Sequence, residues 1–275
     1  MIDGRPLREI EHHYRVEVEL ATRLKEAQRE ERIELYNTLY DELFKKVPRH
    51  PQLIAKKIPN ERVKRAKLEF EFLARFLPSF RVFLEIGAGD CGLSTQVARF
   101  ASKVIAIDVS DRILRNVKVP RNVSLKLSNG ITIPVKPSTV NVVYSNQLME
   151  HLHPDDASEQ LANILKSLAP GGKYFCITPN RLSGPHDVSR YFDTVARGFH
   201  LKEYTNTELR QLMLGIGFRK VMSFICVRFG FYRIPIIVPL FLELFLGYLP
   251  EKINKGLARA TIFREILGIR LVAVK

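Results

Sequence analysis

The chain has 275 residues, 46% of them hydrophobic and 26% charged, the balance of an ordinary globular protein of one large domain or one domain with appendages. Its three cysteines, Cys91, Cys176 and Cys226, are odd in number and widely spaced, which excludes a disulfide framework or zinc spacing and points to a reducing compartment. The formal charge of +14 is concentrated: residues 45–67 carry nine Lys and Arg against Glu61, and residues 219–275 carry ten against Glu243, Glu251 and Glu265. Basic regions of that density fit an anionic partner, whether nucleic acid, anionic lipid or an acidic substrate, as readily as they fit solvated faces. The opening MIDGRPLREIEHHYRVEVEL is charged from its start and lacks the apolar core of a secretion signal, so the expected location is cytoplasmic.

Residues 1–77 read as a helical extension or cap. In NTLYDELF, Tyr36, Leu39, Tyr40 and Leu43 recur at helical spacing until Pro48 and Pro51 break the pattern. A second helix is expected from Asn60 as N-cap, with Val63, Ala66, Phe70, Leu73, Ala74 and Leu77 on one face and Pro78 as its stop. From residue 78 to 275 the rhythm changes. Short apolar runs (RVFLEI, SKVIAID, NVSLKL, TVNVVYSN, GKYFCITP) alternate with amphipathic segments such as LSTQVARFA and DDASEQLANILKSL. Continuous apolar strands between helices argue for a parallel sheet covered on both faces, a doubly wound α/β domain. Thr205 and Glu208 then stand at capping-box spacing before a helix with Leu209, Leu212, Met213 and Ile216, which Gly217 and Phe218 end. VMSFICV reads as a strand, 228–263 as an apolar and basic helical insertion, and ILGIRLVAVK as the last strand. Within the insertion RIPIIVPLFLELFLGYLP is strongly apolar, but Pro235, Pro239, Glu243 and Gly247 interrupt it and it is short for a membrane span.

The run VFLEIGAGDCG places Gly87, Gly89 and Gly92 as G-x-G-x-x-G between a strand and a helix, a turn that lets a ligand approach bare backbone. Asp108 closes the next strand, where a carboxylate can accept from a ribose. Those two features alone also fit a dinucleotide. Glu85 separates the readings. A carboxylate in a buried strand is costly unless a partner compensates it, and a ligand with an ammonium and a sulfonium does so where a pyrophosphate would be repelled.

FLEIGAGDCG, with Asp108 in VIAIDVS, resembles the first two motifs of the class I S-adenosylmethionine-dependent methyltransferases. YSNQLMEHLHP, followed by a helix and LAPGGKYFCITPN, is similar to the later motifs of their small-molecule "type 11" branch. The resemblance spans residues 80–227 in consistent order. It implies a Rossmann-like sheet of seven strands, the last antiparallel, with S-adenosylmethionine as cofactor and no metal. It also implies that Gly87, Ala88 and Gly89 approach the methionyl portion and that Glu85 lies near its amino group. Asp108 would accept from the ribose hydroxyls and Val109 would lie against the adenine. The family often has an acidic residue after the third strand; this chain has Ser128-Asn129-Gly130, which makes Asn129 the candidate for the adenine amino group. Asn146 and Gln147 would border cofactor and acceptor.

Methyl transfer from a sulfonium is an in-line displacement in which alignment supplies much of the acceleration, and a hydroxyl acceptor gains from a base poised near neutral pH. Three histidines are candidates: His186 in RLSGPHDVSRYFD, His151 in MEHLHP and His200 in GFHLKEYT. Asp187 and Arg190 are expected to join His186 in an acceptor-facing loop, unless they form a structural ion pair. Methyltransferases acting on base amino groups typically carry an Asn/Asp-Pro-Pro-aromatic turn where this chain has Ser145-Asn146-Gln147-Leu148. That difference argues against this subset alone; the expected acceptor is a small or lipid-linked molecule, methylated at oxygen. The alternatives are an RNA or protein acceptor held by the basic N-terminal helices, and a cofactor-binding regulatory module without catalysis. The segment 233–250, flanked by Arg228, Arg233, Lys252 and Lys255, is open to three readings: a lid over an apolar pocket, a membrane-surface element or a homodimer contact.

Overall fold

Strands without polar alternation must be buried on both faces, and a computed structural model, which describes residues 4–55, 59–76, 81–110, 117–227 and 230–275, shows how. Strands β1 (Val82–Ile86), β2 (Lys103–Asp108), β3 (Val123–Leu127), β4 (Val140–Asn146) and β5 (Leu168–Thr178) run parallel in the spatial order β3-β2-β1-β4-β5. Neighbouring residues of β1, Phe83 and Leu84, are both fully buried, on opposite faces of the sheet. Leu84, Ile105 and Val143 pack with α1 (Leu7–Glu26), α2 (Arg29–Lys46), α6 (Pro154–Ser167) and α7 (Asn206–Ile216). Phe83, Val104 and Val142 pack with α4 (Pro59–Ala74) and α5 (Gly92–Val97). The short α3 (Pro51–Ala55) lies between α2 and α4 in the chain. The α/β expectation holds.

Among the described residues the sheet has eight strands where seven were expected. β8 (Ile269–Val274) runs antiparallel between β5 and β6 (Lys220–Val227), and β7 (Gly230–Ile234) adds an antiparallel edge beside β6. The extra strand comes from the start of the segment read as a helical insertion. Phe231 turns inward to stack on Phe72 at 4.4 Å, while Tyr232 faces out, a two-residue alternation that a helix cannot satisfy. The insertion proper is α8 (Ile237–Gly247), α9 (Glu251–Arg259) and α10 (Thr261–Leu267), joined by a small core of Leu242, Leu246, Ala258 and Leu267.

Local signals behave as their chemistry dictates. The Thr205 hydroxyl accepts the Glu208 N–H at 3.1 Å and the Glu208 carboxylate accepts the Thr205 N–H at 2.9 Å, closing the capping box; Gly217 ends α7 at φ 115°. Asn60 is not an N-cap, because α4 begins at Pro59, a residue suited to the first helical position. Leu77, Pro78 and Arg228 lie outside the described residues. The N-terminal helices are tied to α6 by a buried ion pair: Arg32 donates to both oxygens of Asp156, at 2.7 and 2.6 Å. Tyr36 donates to the same carboxylate at 2.8 Å and accepts the His153 N–H at 2.9 Å.

Candidate active site

After β1 the chain must turn sharply onto α5. Gly87 (φ 71°) and Gly89 (φ 52°) take left-handed backbone that other residues adopt at a cost. The Gly87 and Ala88 N–H groups both donate to Ile107 O at the end of β2, at 2.9 and 3.1 Å. Gly89 N–H donates to Asp108 Oδ2 at 2.8 Å, and Ser110 N–H donates to Oδ1 at 3.0 Å. A side chain added at Gly89 would meet nothing within 4 Å, so its Cα faces open space. That space is one end of a cavity of about 680 Å³ lined by Glu85, Gly87, Ala88, Gly89, Asp108 and Val109.

Glu69, Glu85, Asp90 and Asp108 line this end together. Glu85 is buried, and its Oε2 accepts from the Ser94 N–H at 3.0 Å and the Ser94 hydroxyl at 2.6 Å. Burial nonetheless pushes its carboxyl up to about 8, with repulsion from Glu69 and Asp90 adding to the shift. Asn146 also lines the cavity and donates to Glu69 Oε1 at 2.6 Å, and Gln147 beside it sits at φ 54°. Asn129 does not line it. The Asn129 oxygen accepts from Ile131 N–H, Thr132 N–H and the Thr132 hydroxyl, so it holds its own turn while Ser128 and Gly130 face inward.

The other end of the cavity lies under the N-terminal helices, and the three candidate histidines meet there with Asp187 and Arg190. His151 Nδ1 donates to Phe199 O at 2.9 Å, and burial pushes the ring down to about 3. His186 Nε2 stands 3.1 Å from Asn180 O and 3.0 Å from the Ser183 hydroxyl, and burial lowers it as well. His200 differs. Burial works to lower it, but a 2.7 Å hydrogen bond from Nδ1 to Glu203 and the nearby Glu150 carboxyl outweigh burial and raise it above an ordinary histidine. Glu203 Oε1 also accepts the His186 N–H at 2.7 Å, so one buried carboxylate joins both loops. Asp187 accepts from Ser189 N–H and Gly198 N–H, while Arg190 lies over the Tyr191 ring and donates to its hydroxyl.

Sequence reasoning missed the contribution of the N-terminal helices. Arg5, His13, Glu17, Tyr40 and His50 line the same chamber. Arg5 donates to His13 Nδ1 at 3.2 Å, which leaves His13 Nε2 to donate to Glu17 at 2.7 Å. His13, Glu17 and His50 lie close enough to share a metal ion, but this tautomer spends the nitrogen a metal would need. Glu17 follows His13 by one helical turn, and that spacing was the available signal.

The chemistry of the glycine end fits S-adenosylmethionine. A crowded set of carboxylates suits a cationic ligand, the open space at Gly89 admits its approach, and Asp108 keeps lone pairs for ribose hydroxyls. The comparisons agree. Residues 59–223 match the Methyltransf_23 family model, described as a methyltransferase domain, and the match takes in α4 of the expected N-terminal extension. A "probable S-adenosylmethionine-dependent methyltransferase" of Mycolicibacterium smegmatis is 31% identical over 140 residues, covering 50% of this chain and 52% of that protein. Phosphoethanolamine N-methyltransferase 1 of Triticum aestivum is 29% identical over 109 residues, covering 36% and 22%. The chain thus spans about half or less of the length of these relatives. Solved S-adenosylmethionine-dependent methyltransferases share the fold. One is from Archaeoglobus fulgidus (TM-score 0.50, 18% identity, 76% of this chain and 94% of that one). Another, described as putative, is from Listeria monocytogenes (TM-score 0.50, 19% identity, 77% and 98%). With its matched domain, its two carboxylate-tipped strands and its glycine turn, the chain belongs to the class I S-adenosylmethionine-dependent methyltransferases, and S-adenosylmethionine is its cofactor.

Proposed function

We propose that the chain methylates a hydroxyl of a small or lipid-linked acceptor, with His200 as general base. One observation carries this reading: a single cavity runs from the Gly89–Asp108 end to His200. Its 680 Å³ falls within the roughly 300–1,000 Å³ of small-molecule pockets, which suits a compact acceptor better than a folded macromolecule. S-adenosylmethionine supplies a methyl group on a sulfonium. In this reading Glu85, Gly87, Ala88, Gly89, Asp108 and Val109 hold the cofactor, and Asn146 borders cofactor and acceptor. His200 takes the proton that the hydroxyl loses as its oxygen is methylated, with Glu203 orienting the ring and stabilising the imidazolium. His151 is pushed too low to serve well as a base, burial lowers His186 as well, and His186 Nε2 is engaged by Asn180 O and the Ser183 hydroxyl.

The wheat relative favours a second reading, transfer to an amine. Incubation with labelled S-adenosylmethionine and a panel of hydroxyl, amine and lipid-linked acceptors separates the two. The expected result is a one-methyl mass shift on a hydroxyl compound, lost in His200→Asn with cofactor affinity retained. Label found on nitrogen, at a rate that His200→Asn leaves unchanged, overturns the hydroxyl reading.

A further inference from the structure

The outer face of α8 carries an uncovered apolar stripe. Ile237, Phe241, Leu244 and Tyr248 recur at helical spacing, and Val238 and Phe245 widen the band. All six are exposed, Phe241 by 66% and Tyr248 by 81%, and Ile253 of α9 and Ile262 of α10 extend the surface. Scattered apolar residues on a surface need no explanation, but a contiguous band marks a contact site.

The helix is fixed, not loosely placed. Its inner face buries Leu242 and Leu246, and between them the buried Glu243 carboxylate accepts five hydrogen bonds. Oε1 accepts from Asn180 Nδ2 (2.8 Å), Asn206 N–H (2.6 Å) and Asn206 Nδ2 (3.0 Å). Oε2 accepts from Thr207 N–H (2.9 Å) and the Thr207 hydroxyl (2.6 Å). A charge so anchored holds the apolar stripe outward. From α9, Arg259 donates to Gly184 O at 2.9 Å, two residues before the cavity-lining His186. The insertion that carries the band is therefore in contact with the loop that borders the cavity.

We infer that this face docks on an anionic membrane surface, with α8 lying in the interface. The charges that accompany the band decide the occupant. Exposed Arg233, Lys252, Arg259 and Arg264 lie on the same stretch of chain as the band, while exposed Glu251 is paired with Lys255 at 2.6 Å. Anionic headgroups complement such charges, whereas an isologous contact with a second copy would set like charges against each other. Tyr248 offers an apolar ring with a polar tip, the shape favoured at headgroup depth. Among the described residues no helix is long and apolar enough to cross a membrane, so the contact is peripheral.

This surface can be tested apart from methyl transfer, by co-sedimentation of the full chain with vesicles of phosphatidylcholine alone or mixed with phosphatidylglycerol. Binding to the anionic vesicles is expected to be about tenfold or more tighter and to weaken with salt. Phe241→Ser with Leu244→Ser, and separately Lys252→Glu with Arg264→Glu, should each lower it about tenfold. Circular dichroism and the unfolding midpoint should match the parent, since all four side chains are exposed. Equal uptake by both vesicle types, uptake unchanged in the Phe241→Ser, Leu244→Ser variant, or absence of uptake with a dimer in sedimentation velocity that this variant dissolves, overturns the inference.

Discussion

Glu17, in the middle of α1, accepts the backbone N–H of Phe199 at 3.1 Å, so the N-terminal helices are fastened to the loop that carries His200. Burial works to raise this carboxyl, but the hydrogen bonds from His13 and His50 outweigh it and hold Glu17 well below the usual carboxylate range. Its folded value is thus depressed, and its contribution to stability is present above the unfolded value near 4 and lost as pH falls through the folded one. Replacement of Glu17 by Gln sets an amide against the protonated His13 nitrogen. A loss of about 1–3 kcal/mol is expected at neutral pH, with a smaller loss in acid. Urea midpoints of parent and variant at the two pH values measure it.

The His200–Glu203 pair makes a kinetic prediction. A base works when unprotonated, so turnover should rise with pH through the His200 value, which lies above that of an ordinary histidine. Glu203→Gln takes the carboxylate's charge out of the hydrogen bond that most raises it. The acid limb of the turnover profile should move to lower pH while the plateau falls by about 10²–10⁴-fold. A variant with an unmoved limb would show that His200 does not set the profile.

The elements nearest in sequence were the most legible. The glycine turn, Asp108 and the Thr205–Glu208 box each depend on residues a few positions apart, and their chemistry is local. Asn129 failed because its oxygen had an even more local claimant, the Thr132 turn, that a family pattern does not reveal. β7 was hidden by composition: from Gly230 to Pro250 the chain is strongly apolar apart from Arg233 and Glu243, and the packing of Phe231 on Phe72 selects a strand at its start. The one-turn spacing of His13 and Glu17 signalled a pair, but not that it belongs to the site with His50, since their meeting with Phe199 and His200 spans most of the chain. The three histidines could be named, with His186 put first and His200 last, but the Glu203 contact that raises His200 was not read from the sequence.

Glu85 connects burial to cofactor binding through a proton. In the cofactor-free protein its carboxyl, raised to about 8, is mostly protonated at pH 7. A cationic ligand beside it favours the ionised form, so S-adenosylmethionine binding at pH 7 should release up to about one proton. Calorimetry in two buffers of different ionisation enthalpy reads this directly, and identical heats in both would count against it. The sign for stability is opposite to that of Glu17. A folded value raised above the unfolded one weakens the cofactor-free protein as pH climbs from about 4 to 8, and Glu85→Gln should flatten that decline.

The Arg32–Asp156 pair tests how the helical cap is held. Burial works to raise Asp156, but hydrogen bonds from Arg32 and Tyr36 prevail and hold its carboxyl below the ordinary range. Its contribution is therefore present above the unfolded value and lost as pH falls through the folded one. Arg32→Met keeps the bulk but leaves the fully buried carboxylate with Tyr36 alone, at an expected cost of about 3–5 kcal/mol at neutral pH. Toward pH 4 the orphaned carboxyl protonates more readily than the paired one, so the gap between variant and parent should narrow. Combining Arg32→Met with Asp156→Leu removes the unpaired charge and should recover part of the loss at pH 7. Urea unfolding of the parent, single and double variants at both pH values gives all the differences. A single variant whose deficit grew in acid would mean that the pair does not anchor α2 through its charge.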